Sequence, residues 1–343
     1  MTKIQIHDLI YGAAIGDALG NPVQFYPREK VKGHPVTDMI AGGFFKKPAG
    51  TWTDDTSMLL CLVASLAAKG TLDYTDVMIR FKNWLERADY TPEDYAFDVG
   101  QTCLEAIEKF VRGTPPLECG GSTEWKNGNG SLMRIAPLVF YLVKESEKHD
   151  GPALLFKDDW AFLVVHEVSS LTHAHPVACL GCSIYIRLLL EILRSSVDFT
   201  DTPDSRTVAK MLTGPVFEDI TNFVSNHPEY HDAFSRYSRI FEPGFAALPE
   251  EEIESTGYVV HTLEAALWSF LTTTSFEECL LKAVNLGHDA DSVGAVAGAL
   301  AGLFYAASGC AIPECWLETV RGKDIINPLV KAFNMRFTTP ADE

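Results

Sequence analysis

The segment Asn285 to Gly302, NLGHDADSVGAVAGALAG, constrains this chain more than any other, because it predicts a helix made almost entirely of small residues. Gly294, Ala295, Ala297, Gly298, Ala299, Ala301 and Gly302 carry too little side chain to hold neighbours at normal distance. Other backbones can then approach closely, although each glycine costs roughly 1 kcal/mol against alanine in a helix. Such a helix belongs at the centre of a helical protein. A second segment, Ile6 to Leu19, has helical periodicity broken by Gly12, Gly16 and Gly20 and asks for the same close contact. Asp289, Asp291 and Ser292 fall where the first helix begins. Taken alone, that acidic start reads as N-capping, since Asp and Ser both satisfy free amide donors there.

With 343 residues, 47% of them hydrophobic, the chain can bury a large core. No repeat or low-complexity linker divides it, which points to one domain over residues 1–343. A net charge of −18 argues against a nucleic-acid track or an anionic membrane surface as the main partner. The start, MTKIQIHDLIYGAAIGDALG, lacks the pattern of a signal peptide, and no later run reads as long enough to cross a bilayer. These features lead to the expectation of a soluble, cytoplasmic, monomeric protein. Cys61, Cys103, Cys179, Cys182 and Cys279 fall on apolar helical faces, as reduced core thiols would. Cys179 and Cys182 have zinc-like spacing but no second matched pair, since Cys310 and Cys315 have four residues between them.

Along the chain, residues Tyr26 to Gly50 read as a long loop, mobile or lid-like. GTWTDDTSM then places Thr53, Asp54 and Asp55 at the start of a helix closed by Gly70, and adjacent Asp54 and Asp55 exceed what capping needs. A helix over Thr75 to Arg87 is structural, and another is expected to begin at Phe97-Asp98-Val99-Gly100. NGNGSLMR, from Asn127 to Arg134, is a glycine-rich turn whose consecutive amides could hold oxygens of a phosphate or ribose. Two helices joined by THAHP, carrying His173 and His175, follow; two amphipathic helices lie between Asp204 and Phe241, before an acidic loop from Glu242 to Thr256. Gly257-Tyr258 opens the next helix, and Ser275 with Glu278 forms a capping box. Almost nothing reads as strand, so the fold class is all-α.

T-D-D at one helix start and D-x-D-S at another offer four carboxylates and two hydroxyls, which the glycine-rich helices can bring together. Unneutralised, such carboxylates repel and raise one another's pKa values. Hard divalent cations would relieve that conflict, and an all-oxygen ligand set favours Mg²⁺ or Mn²⁺ over zinc or copper.

In order along the chain, GAAIGDALG, GTWTDDTSM, FDVG, GNGSLMRIAPL, LTHAHP, GYVVHTLEAALWSF and NLGHDADSVGAVAGALAG resemble the ADP-ribosylglycohydrolase family. The resemblance implies an all-α, single-domain orthogonal helical bundle that binds two divalent cations and hydrolyses the glycosidic bond between ADP-ribose and an acceptor. It also implies ADP-ribose or an ADP-ribosylated protein, most simply one modified on arginine, as the partner. Thr53, Asp54, Asp55, Asp289, Asp291 and Ser292 match the metal positions, with Ser292 where the family usually has threonine. Asn129, Gly130 and Ser131 match a ribose- and phosphate-holding loop, His173 a ligand-contacting histidine, and Tyr258 an aromatic that packs on the nucleotide. Asp54, Asp55, Asp98 and Gln24 are the catalytic candidates, with Asp98 facing the departing group. Gln24 stands where the family usually has glutamate. That departure leaves a second implication open, a very slow or non-catalytic ADP-ribose binder.

Overall fold

The structure, a computed structural model, describes residues 3–147, 155–195, 205–306 and 312–338. Asp204 and Cys310 lie outside the described residues. The helices in chain order begin with α1 (Lys3–Gly20), α2 (Arg28–Gly33), α3 (Asp54–Lys69), α4 (Tyr74–Arg87), α5 (Gln101–Val111) and α6 (Leu132–Ile135). They continue with α7 (Leu138–Ser146), α8 (Trp160–Ser170), α9 (Pro176–Ser195), α10 (Ser205–Met211), α11 (Phe217–Asn226) and α12 (His231–Tyr237). The last are α13 (Val259–Leu271), α14 (Phe276–Val284), α15 (Ala290–Ala306), α16 (Glu314–Thr319) and α17 (Lys323–Phe337). Among the described residues there is no strand, only isolated bridges such as Gly128 with Tyr258. The fold is the all-α bundle of the sequence reading.

Helix α15 is buried from Ala290 to Tyr305 and packs along its length on α1, with α13 and α14 on its other sides. Its glycines meet those of α1 backbone to backbone. A Cβ on Gly16 would lie 1.9 Å from the Gly294 carbonyl oxygen, and one on Gly298 would lie 2.0 Å from that of Gly12. Neither oxygen can move without its helix, so glycine at these positions is a packing requirement. The seam brings the C-terminal end of α1 beside the N-terminal end of α15, since a Cβ on Gly20 would strike the Ala290 backbone at 2.4 Å.

Helix α3 starts as its sequence predicts: Thr53 caps it, accepting from the Asp55 amide, and Gly70 ends it with φ of 69°. At α14, Ser275 accepts from the Glu278 amide at 3.1 Å, while the Glu278 carboxylate reaches back one residue further, to the Thr274 amide at 3.0 Å.

Several expectations are corrected. The segment from Tyr26 to Gly50 is not all loop, because α2 forms within it and its buried Arg28 donates to the carbonyls of Leu286, Glu250 and Ile253. Helix α5 begins at Gln101, and Asp98 precedes it with φ of 57°, a left-handed conformation that places it outside the helix. The stretch up to Phe241 contains α10, α11 and α12 in place of two helices, because Gly214 and Pro215 break the first. Among the described residues one run is, by length and composition, able to span a bilayer: α9, with mean hydropathy 1.7, of which 89% is buried inside the bundle. Its apolar surface serves the core. Cys61, Cys103, Cys179, Cys182 and Cys279 are buried free thiols.

Candidate active site

The N-terminal ends of α3 and α15 open into one cavity of about 360 Å³. Asp54 and Asp55 reach it from α3, and Asp289, Asp291 and Ser292 from the start of α15. Asp98, Val99 and Gly100 also line it, as do Gly128, Asn129, Gly130, Met133 and His173. Thr53 stands behind the carboxylates and joins the two helix starts, with its hydroxyl 3.3 Å from Asp55 Oδ2 and 3.5 Å from Asp291 Oδ2. The juxtaposition follows from the seam, since the close approach of α1 to α15 carries the start of α3 with it.

The link is Asp17, which sequence reasoning did not single out. Fully buried on α1, its carboxylate accepts from the Thr53 amide at 2.9 Å, the Thr56 amide at 3.0 Å and the Thr56 hydroxyl at 2.6 Å. It therefore caps α3 from another helix, where a negative charge is favoured by the free amides and the helix dipole. Burial nonetheless lifts the Asp17 carboxyl to about 7, against the pull of these donors. The signal was present: an acidic residue inside an apolar, small-residue helix.

The other carboxyls share this strain. Asp54, Asp55 and Asp291 are held well above the ordinary carboxylate range, first by burial and then by the charges of neighbouring aspartates, Asp17, Asp98 and Asp289 among them. Burial raises Asp98 as well and lifts Asp289 to about 6. Buried Asp55 Oδ1 and Asp291 Oδ1 have no hydrogen-bond partner. Unpartnered carboxylate oxygens among like charges are costly unless a cation takes them, so the donor set fits hard divalent cations. Among the described residues, no group of three or more His, Cys, Asp or Glu side chains is already gathered as a closed ligand cage. The fit therefore rests on the chemistry of the oxygens.

The glycine-rich turn is pinned from behind: the Asn129 amide donates to the Gly257 carbonyl at 3.0 Å and the Val259 amide to that of Asn127 at 3.0 Å. The expectation of consecutive free amides is corrected at Asn129, whose N–H is already used. Its side chain faces inward, donating to Thr262 Oγ1 at 2.9 Å and to Asp289. Gly130 keeps the floor open, because a Cβ there would come within 2.8 Å of both Cys103 Sγ and His173. His173 is buried, donates or accepts at Thr172 Oγ1 over 2.9 Å, and is neutral, with its pKa pushed down to about 3 by burial and by the Arg134 charge.

Four predicted site residues do not line the cavity. Besides Thr53, Ser131 is buried behind the turn, with its hydroxyl 2.9 Å from that of Ser169. Tyr258 caps α13 half-buried, its ring edge-on to His261 and its hydroxyl accepting from Arg236 at 3.3 Å. Gln24 sits under the wall, where its side chain bonds Asp98 and its amide donates to Asn21 Oδ1 at 3.4 Å; its own Oε1 is buried and unpartnered. Phe25, Cys103 and Met133 line the cavity without having been anticipated.

The family model for ADP-ribosylglycohydrolase matches residues 3–343. An ADP-ribosylarginine hydrolase, Tri1, of Pseudomonas putida (strain GB-1) is 33% identical over 322 residues, covering 94% of this chain and 76% of that one. The ADP-ribosyl-[dinitrogen reductase] glycohydrolase of Rhodospirillum rubrum is 30% identical over 327 residues, with 93% and 92% covered. A solved structure titled "ADP-ribosylglycohydrolase-related protein complex" superposes with a TM-score of 0.72 at 31% identity, over 98% of this chain and 99% of that one. Matched along almost its whole length in sequence and in fold, the chain belongs to the ADP-ribosylglycohydrolase family.

Proposed function

We propose that this protein is a cytoplasmic, monomeric hydrolase that releases ADP-ribose from a modified arginine side chain of a protein, using two divalent cations, Mg²⁺ or Mn²⁺. The observation that carries the reading is the convergence of Asp54, Asp55, Asp289 and Asp291 on one cavity, with Asp55 Oδ1 and Asp291 Oδ1 unpartnered. Thr53, Asp54, Asp55, Asp289, Asp291 and Ser292 would hold the cations. Bound there, the cations supply charge neutralisation and Lewis-acid activation, and orient hydroxyls of the sugar.

The chain's own groups account for the rest. Asn129, fixed through Thr262 and the Gly257 carbonyl, presents a rigid polar edge to the ribose. Neutral His173 offers a hydrogen bond without adding charge. As the glycosidic bond breaks, positive charge develops on the sugar, and the surrounding carboxylates favour it. Asp98, on the wall beside Gly100, pairs with the departing guanidinium. Gln24 keeps the size of a glutamate but has no acidic proton, so any proton transfer falls to the aspartates.

Release of ADP-ribose from ADP-ribosylarginine, with and without Mg²⁺ or Mn²⁺, tests the reading. The parent turns over only with a cation, and Gln24→Glu changes its rate without being needed for it. A parent that binds ADP-ribose yet turns nothing over, beside an active Gln24→Glu, would establish the binder instead.

A further inference from the structure

At the mouth of the cavity, five rings form a continuous ledge. Phe25, which lines the cavity, meets Phe44 at 5.3 Å and Phe45 at 6.2 Å between centroids; Phe45 meets Phe97 at 5.2 Å, and Phe97 meets Tyr95 at 6.2 Å. This is not ordinary core, since Phe25, Phe44 and Tyr95 are 51%, 64% and 56% exposed. The ledge is held at a cost in backbone energy. Phe25, Lys46 and Asp98 have φ of 63°, 55° and 57°, each a left-handed conformation that strains a non-glycine residue. Phe25 is fastened where it stands, its amide donating to the His288 carbonyl at 2.5 Å while the His288 amide donates to the Tyr26 carbonyl at 2.8 Å. Gly42 and Lys47 exchange both backbone hydrogen bonds, at 2.8 and 3.0 Å, and hold Phe44 and Phe45 at the tip of their turn.

One end of the ledge already holds a cation. Lys47 Nζ lies 4.3 Å from the ring centroids of both Tyr95 and Phe97, and donates to the Tyr95 hydroxyl and to Glu93. The other end is open: the Phe25 and Phe44 rings stand at 89° to each other, and among the described residues no cation is set over either. This negative charge of −18 on the whole chain draws basic partners, and a cavity of about 360 Å³ is at the small end for a ligand site, so a polypeptide attached to the ligand must lie outside it.

We propose that the Phe25–Phe44 corner docks a basic segment of the acceptor protein, taking a lysine or arginine next to the modified residue against its ring faces. The proposal rests on the hydrolase reading above and adds the acceptor side of its specificity. Phe25 belongs to both cavity and ledge, and so joins the two surfaces; Phe44 belongs to the ledge alone.

Two substrates separate the surfaces: ADP-ribosylarginine itself, and a short synthetic peptide carrying one ADP-ribosylarginine flanked by lysines. For the parent, KM for the peptide lies below that for the small substrate, and Phe44→Ala raises the peptide KM about fivefold with kcat and the small substrate unchanged. Phe44→Trp retains the preference. Equal KM shifts for both substrates, or none for either, would overturn the proposal, as would light scattering that shows Phe44→Ala turning a dimer into a monomer. Calorimetry with free ADP-ribose and the same peptide keeps the two readings apart. A parent that binds neither refutes the hydrolase reading and the ledge together, whereas one that binds ADP-ribose but gains nothing from the peptide refutes only the ledge.

Discussion

The seam between α1 and α15 and the rim around Phe25 meet at the same cavity but are made in opposite ways. The seam has no side chains to speak of: Gly12, Gly16, Gly294 and Gly298 put two backbones in direct contact, with nothing left to adjust. The rim has large rings, with Phe25, Phe44 and Tyr95 half or more exposed, and Phe25 itself is held in a left-handed conformation. Rigid contact at the seam sets where the carboxylates converge. The rim, which has room for change, borders the opening through Phe25.

Breaking the seam should therefore cost far more than altering the rim. Gly298→Ala puts a Cβ 2.0 Å from the Gly12 carbonyl oxygen, and no rotamer relieves it. We expect a loss of roughly 4 kcal/mol or more, seen in urea unfolding or as failure to yield folded protein. Gly100→Ala, at the rim, has open space and φ of −60°, and should change stability by no more than about 0.5 kcal/mol. Equal losses would remove the distinction.

The convergence that the seam imposes predicts a pH dependence. In cation-free protein, Asp17 near 7 and Asp289 near 6 lie above the ordinary value of 3.8, so the folded state binds more protons than the unfolded one in that window. Their contribution is full below the unfolded pKa and is lost as pH rises through about 6 to 7. Stability should fall from pH 4 towards neutrality by up to about 1.4 kcal/mol per pH unit for each such carboxyl. Saturating Mg²⁺ should flatten or reverse the slope, because cations replace the protons. A cation-free protein more stable at pH 7.5 than at pH 5 would contradict this.

The smallest effect is expected at the edge of the turn. Tyr258→Ala should weaken ADP-ribose and AMP alike, by about fivefold in calorimetry, as loss of one aromatic contact would. Unchanged affinity would mean that its packing on His261 and its bond from Arg236 are its whole role.

The same contrast explains what could be read in the sequence. Small-residue periodicity declares the seam, and adjacent Asp54 and Asp55 exceed a capping requirement, so both helix starts were legible. Asp17 was visible as an acid in an apolar helix, but its role was not legible, because it caps a helix to which it is not adjacent in sequence. The ring ledge was hidden for a related reason: Phe25, the Phe44-Phe45 pair and Phe97 come from three separate stretches, and no period connects them. Asp98 was expected at a helix start, but its positive φ, which tertiary contacts hold, has no signature in an Asp-Val-Gly string.

The central claim is that the starts of α3 and α15 form one cation site. A cycle of Asp55→Asn, Asp291→Asn and the double variant tests it most directly, with the thermal upshift on adding Mg²⁺ or Mn²⁺ as readout. One shared site predicts that the parent is stabilised, that either substitution abolishes most of the upshift, and that the double variant loses little more. Losses that simply add, with each single variant keeping about half of the parent's upshift, or a double variant stabilised as fully as the parent, would contradict it.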